Sequence, residues 1–358
     1  MVFFYILLLF PMMMQSVTIK GLHLDYEKRN KRAITFFFCL LTILIMFRHE
    51  NVGRDTSSYI NYFRYYSGRD WQQLWREQGE NGYIYFNKMI SVFSKDPQIF
   101  LAAAALLVSI MIYPLYKRLC VDASLTIMLF ATLSTFFMMF SGIRQMLAIG
   151  IGFVAYDFTR RKKVLFFLLS VFLATTFHTS AFMLYIMYPL YHARITKRWL
   201  YVVVPTLLIC FAYNRQIFGY LSLILERYTE YDTKIEETGA YTMLVLFGVF
   251  SVFSFLIPDE KKLDPETIGL RNFLLLGFVL QMFVPLHSLA MRMGYYYIVF
   301  IPLLLPKIIA ARSRKWNQIA ILARHVMVVF FLLYFFLNAA GEGNLRVFPY
   351  HFYWENVR

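Results

Sequence analysis

Two ionisable residues of this chain stand where hydrocarbon is expected. Arg144, in Ser141-Gly142-Ile143-Arg144-Gln145, opens an apolar stretch, and His178, in Phe177-His178-Thr179-Ser180-Ala181, separates two others. Such groups are costly there unless they pair or work. Arg54-Asp55 and Glu80 lie upstream in a polar, aromatic stretch, and Arg292 lies downstream before Tyr295-Tyr296-Tyr297. Guanidinium is a planar, permanently charged fork for phosphate oxygens, so three arginines converging on one face would clamp a diphosphate. A histidine or carboxylate beside them would take a proton from an attacking hydroxyl. Each residue also has a plainer reading. Arg144 and Arg292 suit interfacial anchors, His178 a hydrogen-bonded helix-end histidine, and Asp55 and Glu80 solvated loop carboxylates. Tyr59, Tyr62 and Tyr66 fit an interfacial belt as readily as a sugar platform.

The elements that must position these residues are set by composition. With 59% hydrophobic residues, only 16% charged, 38 Phe and 26 Tyr in 358 residues, there is too little polar surface for a water-soluble globule. An all-α, polytopic membrane protein is expected, one integral domain over 1–358. Cys39, Cys120 and Cys210 are scattered through apolar runs, without metal-ligand spacing or a disulfide framework. The apolar start to Ile19 lacks a basic leader and a cleavage site, so it reads as a first span. Apolar runs suggest about twelve crossings (10–14) of roughly 30 Å of hydrocarbon. They lie at 2–19, 33–47, 97–116, 123–141, 143–158, 164–177, 180–192, 199–213, 240–257, 272–287, 293–310 and 319–338. The short 164–177 and 180–192 read alternatively as a pair turning near His178.

Lys and Arg collect in short cytoplasmic loops. Placing the segment 20–32 inside puts nearly the whole formal net charge of +15 on that side. The charge is then a topology signal, and its dispersal in inter-helix clusters argues against a nucleic-acid partner. The outer side receives both termini, loops at about 48–96 and 214–239, and an aromatic tail at 339–358. In the first loop, apolar or aromatic residues at 59, 62, 63 and 66 share one helical face, which predicts an amphipathic helix along the membrane surface.

Phosphate loops, CxxC pairs, HExxH and GxSxG are absent, which disfavours ATP-driven transport, thiolate zinc and a serine hydrolase. The residues that remain resemble the EpsG-like branch of bacterial Wzy-type polysaccharide polymerases. The likeness is carried by Val52-Gly53-Arg54-Asp55-Thr56-Ser57-Ser58-Tyr59, Glu80-Asn81-Gly82-Tyr83 with Asn87, Ile143-Arg144-Gln145, Phe177-His178-Thr179-Ser180-Ala181, Arg292 with Tyr295-Tyr296, and Pro349-Tyr350. These elements occur in the family's order over about 50–350, with Asn81 where the family more often has proline.

The resemblance implies a glycosyltransferase on the outer face of the bacterial inner membrane. It would move a growing glycan from undecaprenyl diphosphate onto a lipid-linked oligosaccharide repeat unit, with no cofactor or metal. Its partners would be those lipid-linked units, membrane lipids and a chain-length regulator. On this likeness Arg144, Arg292 and Arg54 bind diphosphate, and His178 is the preferred base, with Asp55 and Glu80 as rivals. Tyr59, Tyr62, Gln145 and Tyr83 contact sugar. A lipid-linked oligosaccharide flippase, a membrane acyltransferase using His178, and a non-catalytic assembly subunit are the competing classes.

Overall fold

A computed structural model describes residues 2–16, 25–133, 135–224, 237–341 and 345–356. The chain is all-α: 80% of it is helical, with no strand among the described residues. It divides into two compact units, Met1–Phe182 with Arg324–Arg358, and Met183–Ala323.

The first unit contains α1 (Val2–Ser16), α2 (Tyr26–Met46), α3 (Thr56–Ser67), α4 (Trp71–Trp75), α5 (Asn81–Phe93), α6 (Pro97–Leu119), α7 (Ala123–Thr132), α8 (Thr135–Ser141), α9 (Ile143–Arg160) and α10 (Val164–Phe177). Their starts follow from the sequence. Asp96 accepts from Gln98 N ahead of Pro97, Asp122 accepts from Leu125 N, and Asp70 and Gln73 form a capping box on α4. Helices α9 and α10 pack as a hairpin, α2 lies against α1 and α6, and α5 rests on α3, α6 and α10. The apolar face of α3 turns into the protein, where Phe63 stacks on Phe100 at 5.0 Å.

The end of α2 is closed from several directions. Its last four carbonyls, which no helix satisfies internally, accept from Phe47 N (3.0 Å to Ile43), Tyr350 Oη (2.7 Å to Leu44), Arg48 Nη1 (2.6 Å to Ile45) and Gln98 Nε2 (2.5 Å to Met46). The aromatic tail therefore folds onto the start of the 48–96 loop. His49 N donates to His351 O, Tyr353 N to Phe47 O, and Arg54 N to Leu345 O, at 2.8–2.9 Å. At the far end of the unit, Asp122 receives Arg324 Nε at 2.7 Å and Gln15 Nε2 at 3.1 Å, while Asn30 donates to Val121 O.

The second unit contains α11 (Met187–His192), α12 (Leu200–Ala212), α13 (Asn214–Ile224), α14 (Glu237–Leu256), α15 (Pro265–Gln281), α16 (Ser288–Ile298) and α17 (Ile301–Ala310); α18 (Asn317–Ala340) begins in it and continues into the first unit. Helix α15 is its hub, packing on α11, α14, α16 and α17. Arg271 on α15 is fully buried and reaches Glu260 at 2.7 Å and Ile195 O at 2.8 Å. Asn272 donates to Leu190 O and Ala193 O. Of the expected 214–239 loop, residues 225–236 lie outside the described residues; 214–224 are not loop but helix α13, and 237–239 open α14.

Two stretches, Pro97–Leu119 and Arg314–Leu337, are long and apolar enough to cross a membrane among the described residues, or four if each bent pair forms one span. Those pairs are α7 with α8, bent 56°, and α16 with α17, bent 46°. Twelve crossings were expected. Part of the difference is one of length: Phe3–Ser16, Val164–Phe177, Tyr201–Ala212 and Tyr241–Leu256 are apolar but only 10–17 residues long. At 1.5 Å per residue such helices span less than roughly 30 Å of hydrocarbon. The 180–192 segment is a 3-10 helix, Thr179–Ile186, followed by α11. Apolar side chains exposed along α10 and α18, among them Leu165, Phe172, Leu322 and Leu337, form the surface a bilayer would cover.

Candidate active site

The site begins with two glycines. Gly82 lies where an added Cβ would come 2.2 Å from Thr176 Oγ1, so the first turn of α5 abuts the last turn of α10. Gly53 has φ +92°, and its Cβ would fall 2.3 Å from Phe140 O; only glycine meets both demands. The Val52–Asp55 turn thereby docks on the break between α8 and α9. Thr56 Oγ1 donates to Phe140 O at 3.2 Å, and Ser141 Oγ accepts from Asp55 N and faces Asp55 Oδ2 at 3.3 Å.

Glu80 is the N-cap residue of α5, yet its side chain caps nothing on that helix. Its carboxylate reaches two other helix ends. Oε2 accepts from Arg144 Nη1 at 2.9 Å in the first turn of α9. Oε1 meets His178 Nδ1 at 2.8 Å, Thr179 N at 2.9 Å and Thr179 Oγ1 at 3.4 Å. The chain leaves α10 at His178 in an extended conformation, which turns the imidazole and the Thr179 amide toward one acceptor. Burial alone would raise the Glu80 carboxyl. The hydrogen bond and charge of His178, the charge of Arg144 and the Thr179 amide outweigh it and hold the group below the usual carboxylate range.

With Glu80 ionised, His178 Nδ1 carries the hydrogen and donates it, so that in the neutral imidazole Nε2 holds the lone pair. That Nε2 is buried and has no partner, and neither has Arg144 Nε. The Arg144 guanidinium lies over Tyr83 at 5.6 Å, Tyr59 at 5.8 Å and Tyr62 at 5.9 Å. Tyr59 and Tyr83 are buried edge to face. Burial pushes both phenols up, Arg144 opposing it only in part, so they stay neutral. Tyr62 is 43% exposed and stacks on Tyr66.

Of the residues expected from sequence, Arg144, Glu80, His178, Tyr59, Tyr62 and Tyr83 are thus brought together. Asp55 is exposed and tied to Ser141, Arg54 is exposed, and Gln145 is buried in α9. Arg292 belongs to the second unit, partly buried in α16. Among the described residues, no three His, Cys, Asp or Glu side chains group to hold a metal ion.

Two contributors were not singled out from sequence. Thr179 was visible only as the neighbour of His178. Arg48 is 1% exposed, with Nε and Nη2 unpartnered beside an apolar cavity lined by Ile45, Leu101, Ile143 and Met146. Burial pulls its guanidinium down to about 10, so it remains a cation at neutral pH; its only early signal was its place directly after an apolar run.

No curated protein and no solved structure matches this chain. The model of the EpsG family matches residues 31–352, which include every element of the Glu80, Arg144 and His178 cluster. The chain therefore belongs to the EpsG family, and is a membrane protein of polysaccharide biosynthesis.

Proposed function

We propose that the protein is a polysaccharide polymerase that transfers a growing glycan from undecaprenyl diphosphate to a lipid-linked oligosaccharide repeat unit, at the outer face of the bacterial inner membrane. The observation that carries this reading is Glu80 bridging Arg144 and His178, with His178 Nε2 and Arg144 Nε buried and unpartnered. An acceptor hydroxyl gives its proton to Nε2 as its oxygen bonds to the anomeric carbon of the donor sugar. The bond from that carbon to the diphosphate oxygen breaks, and its electron pair leaves with the lipid diphosphate. Arg144 meets the negative charge that develops there, where fixed cations need no reorganisation. Glu80 holds the imidazole in the working tautomer, the part of an orienting carboxylate and not of a base. Tyr59 and Tyr83 steady the guanidinium, while the exposed ring of Tyr62 offers a face to sugar. Arg54 and Arg292 are proposed as further phosphate ligands by residue type, Gln145 as a sugar contact and Asp55 as an orienting group.

Purified protein in liposomes with lipid-linked repeat units tests the proposal. Products longer than one repeat are expected from the wild type; their absence sinks the reading, and repeat units moved across the bilayer without growth would favour a flippase.

A further inference from the structure

The two oxygens of Glu80 are held unequally. Oε1 has three contacts, to His178 Nδ1, Thr179 N and Thr179 Oγ1, whereas Oε2 has one, to Arg144 Nη1. An incoming anion that competes for Arg144 has only that single bond to break. The other charged or titratable groups facing this cluster are poor substitutes: Tyr59, Tyr62, Tyr66 and Tyr83 are phenols, and Asp55 is engaged with Ser141.

We infer that Glu80 is a positioning residue that changes partners: shared by Arg144 and His178 in the resting site, it is displaced from Arg144 by an arriving diphosphate, and His178 becomes its one cationic partner beside Thr179. Arrival of the leaving group thereby arms the base. The inference rests on the reading of Arg144 as a phosphate ligand and deepens it. Because the anion frees Glu80 from Arg144 and the His178 proton draws on the same carboxylate, each must favour the other by the same factor. In the reaction, the proton taken from the hydroxyl lands on an imidazole whose counter-charge is already in place.

The test measures binding of methanedisulfonate, a diphosphate-shaped anion whose own charge is constant between pH 5 and 9, to the full chain in nanodiscs. Wild-type affinity is expected to tighten by about tenfold as the pH falls from 8 to 5, with proton uptake on binding. In Glu80→Gln, which keeps the shape but loses the charge, the change should shrink to less than about threefold. Glu80→Asp keeps the charge but is one methylene shorter, cannot span both partners, and should behave likewise. His178→Gln should abolish proton uptake. Equal wild-type affinity at both pH values, or an undiminished pH effect in Glu80→Gln, overturns the inference. Chain growth is scored separately. A wild type that binds the anion with proton uptake but makes no polymer ends the polymerase reading and leaves this coupling standing. Growth with pH-independent binding ends the coupling alone.

Discussion

His178 has one ring nitrogen committed to Glu80 and the other buried without a partner. A general base needs that division, because the fixed side sets the tautomer and the free side does the chemistry. His178→Gln should therefore lower the rate of chain growth by about 10²–10⁴-fold while leaving lipid-linked donor binding largely intact; full activity would remove it as the base. Arg144→Lys keeps a charge but loses the fork, and a loss of about 10²–10³ in turnover is expected in the same assay. Glu80 also predicts an acid response. Its folded-state pKa is depressed, so the stability it contributes is complete above the ordinary carboxylate range and is lost as the pH falls through its own lower value. Thermal melting in nanodiscs between pH 6 and pH 3 should fall less steeply in Glu80→Gln than in the wild type. These three residues stood out as candidates by their types and flanks. Their pairing was not, since Glu80 lies 64 residues from Arg144 and 98 from His178, separations that no local spacing encodes.

The elements show why the pairing closes. Gly82 lets α5 meet α10, and Gly53 lets the 52–55 turn meet the α8 and α9 break. Gly82→Ala places a methyl group on Thr176, shifting Glu80 away from His178 and Thr179. It should cut chain growth more than it lowers melting temperature, and a variant with normal activity would show that α5 need not sit so close. Segment boundaries were legible where composition changes sharply: the apolar run 164–177 is α10 itself. They failed where a run is interrupted without a polar residue. The 293–310 run bends by 46° between α16 and α17 because Pro302, at the start of α17, has no amide hydrogen to continue the ladder. Hydropathy alone does not register a missing donor.

At the scale of the molecule, each unit carries an ionic tie that charge counting reads as surface, half-buried in the first unit and with a fully buried arginine in the second. Arg324 and Asp122 join α18 to α7, while Arg271 and Glu260 fasten the hub helix of the other unit. Arg271 borders the expected span 272–287 and Arg324 lies within the expected span 319–338, so hydropathy marks neither as a tie, yet Arg271 is 0% exposed. Removing one partner strands the other. Asp122→Ala, which also releases Gln15 and removes the cap of α7, should destabilise the first unit by about 2 kcal/mol, read as a lower melting temperature, with Arg324→Met adding little in the double variant. The closure of α2 has a consequence in time. Leu44 waits for the hydroxyl of a residue 306 positions further along the chain. At about 5–20 residues per second, ribosomes need about 15–60 s to supply it. Through that interval the nascent loop bearing Arg54, Asp55 and Glu80 lacks its tail anchor, so a chain stalled late in translation would carry every residue of the Glu80, Arg144 and His178 cluster without the contacts that close the loop.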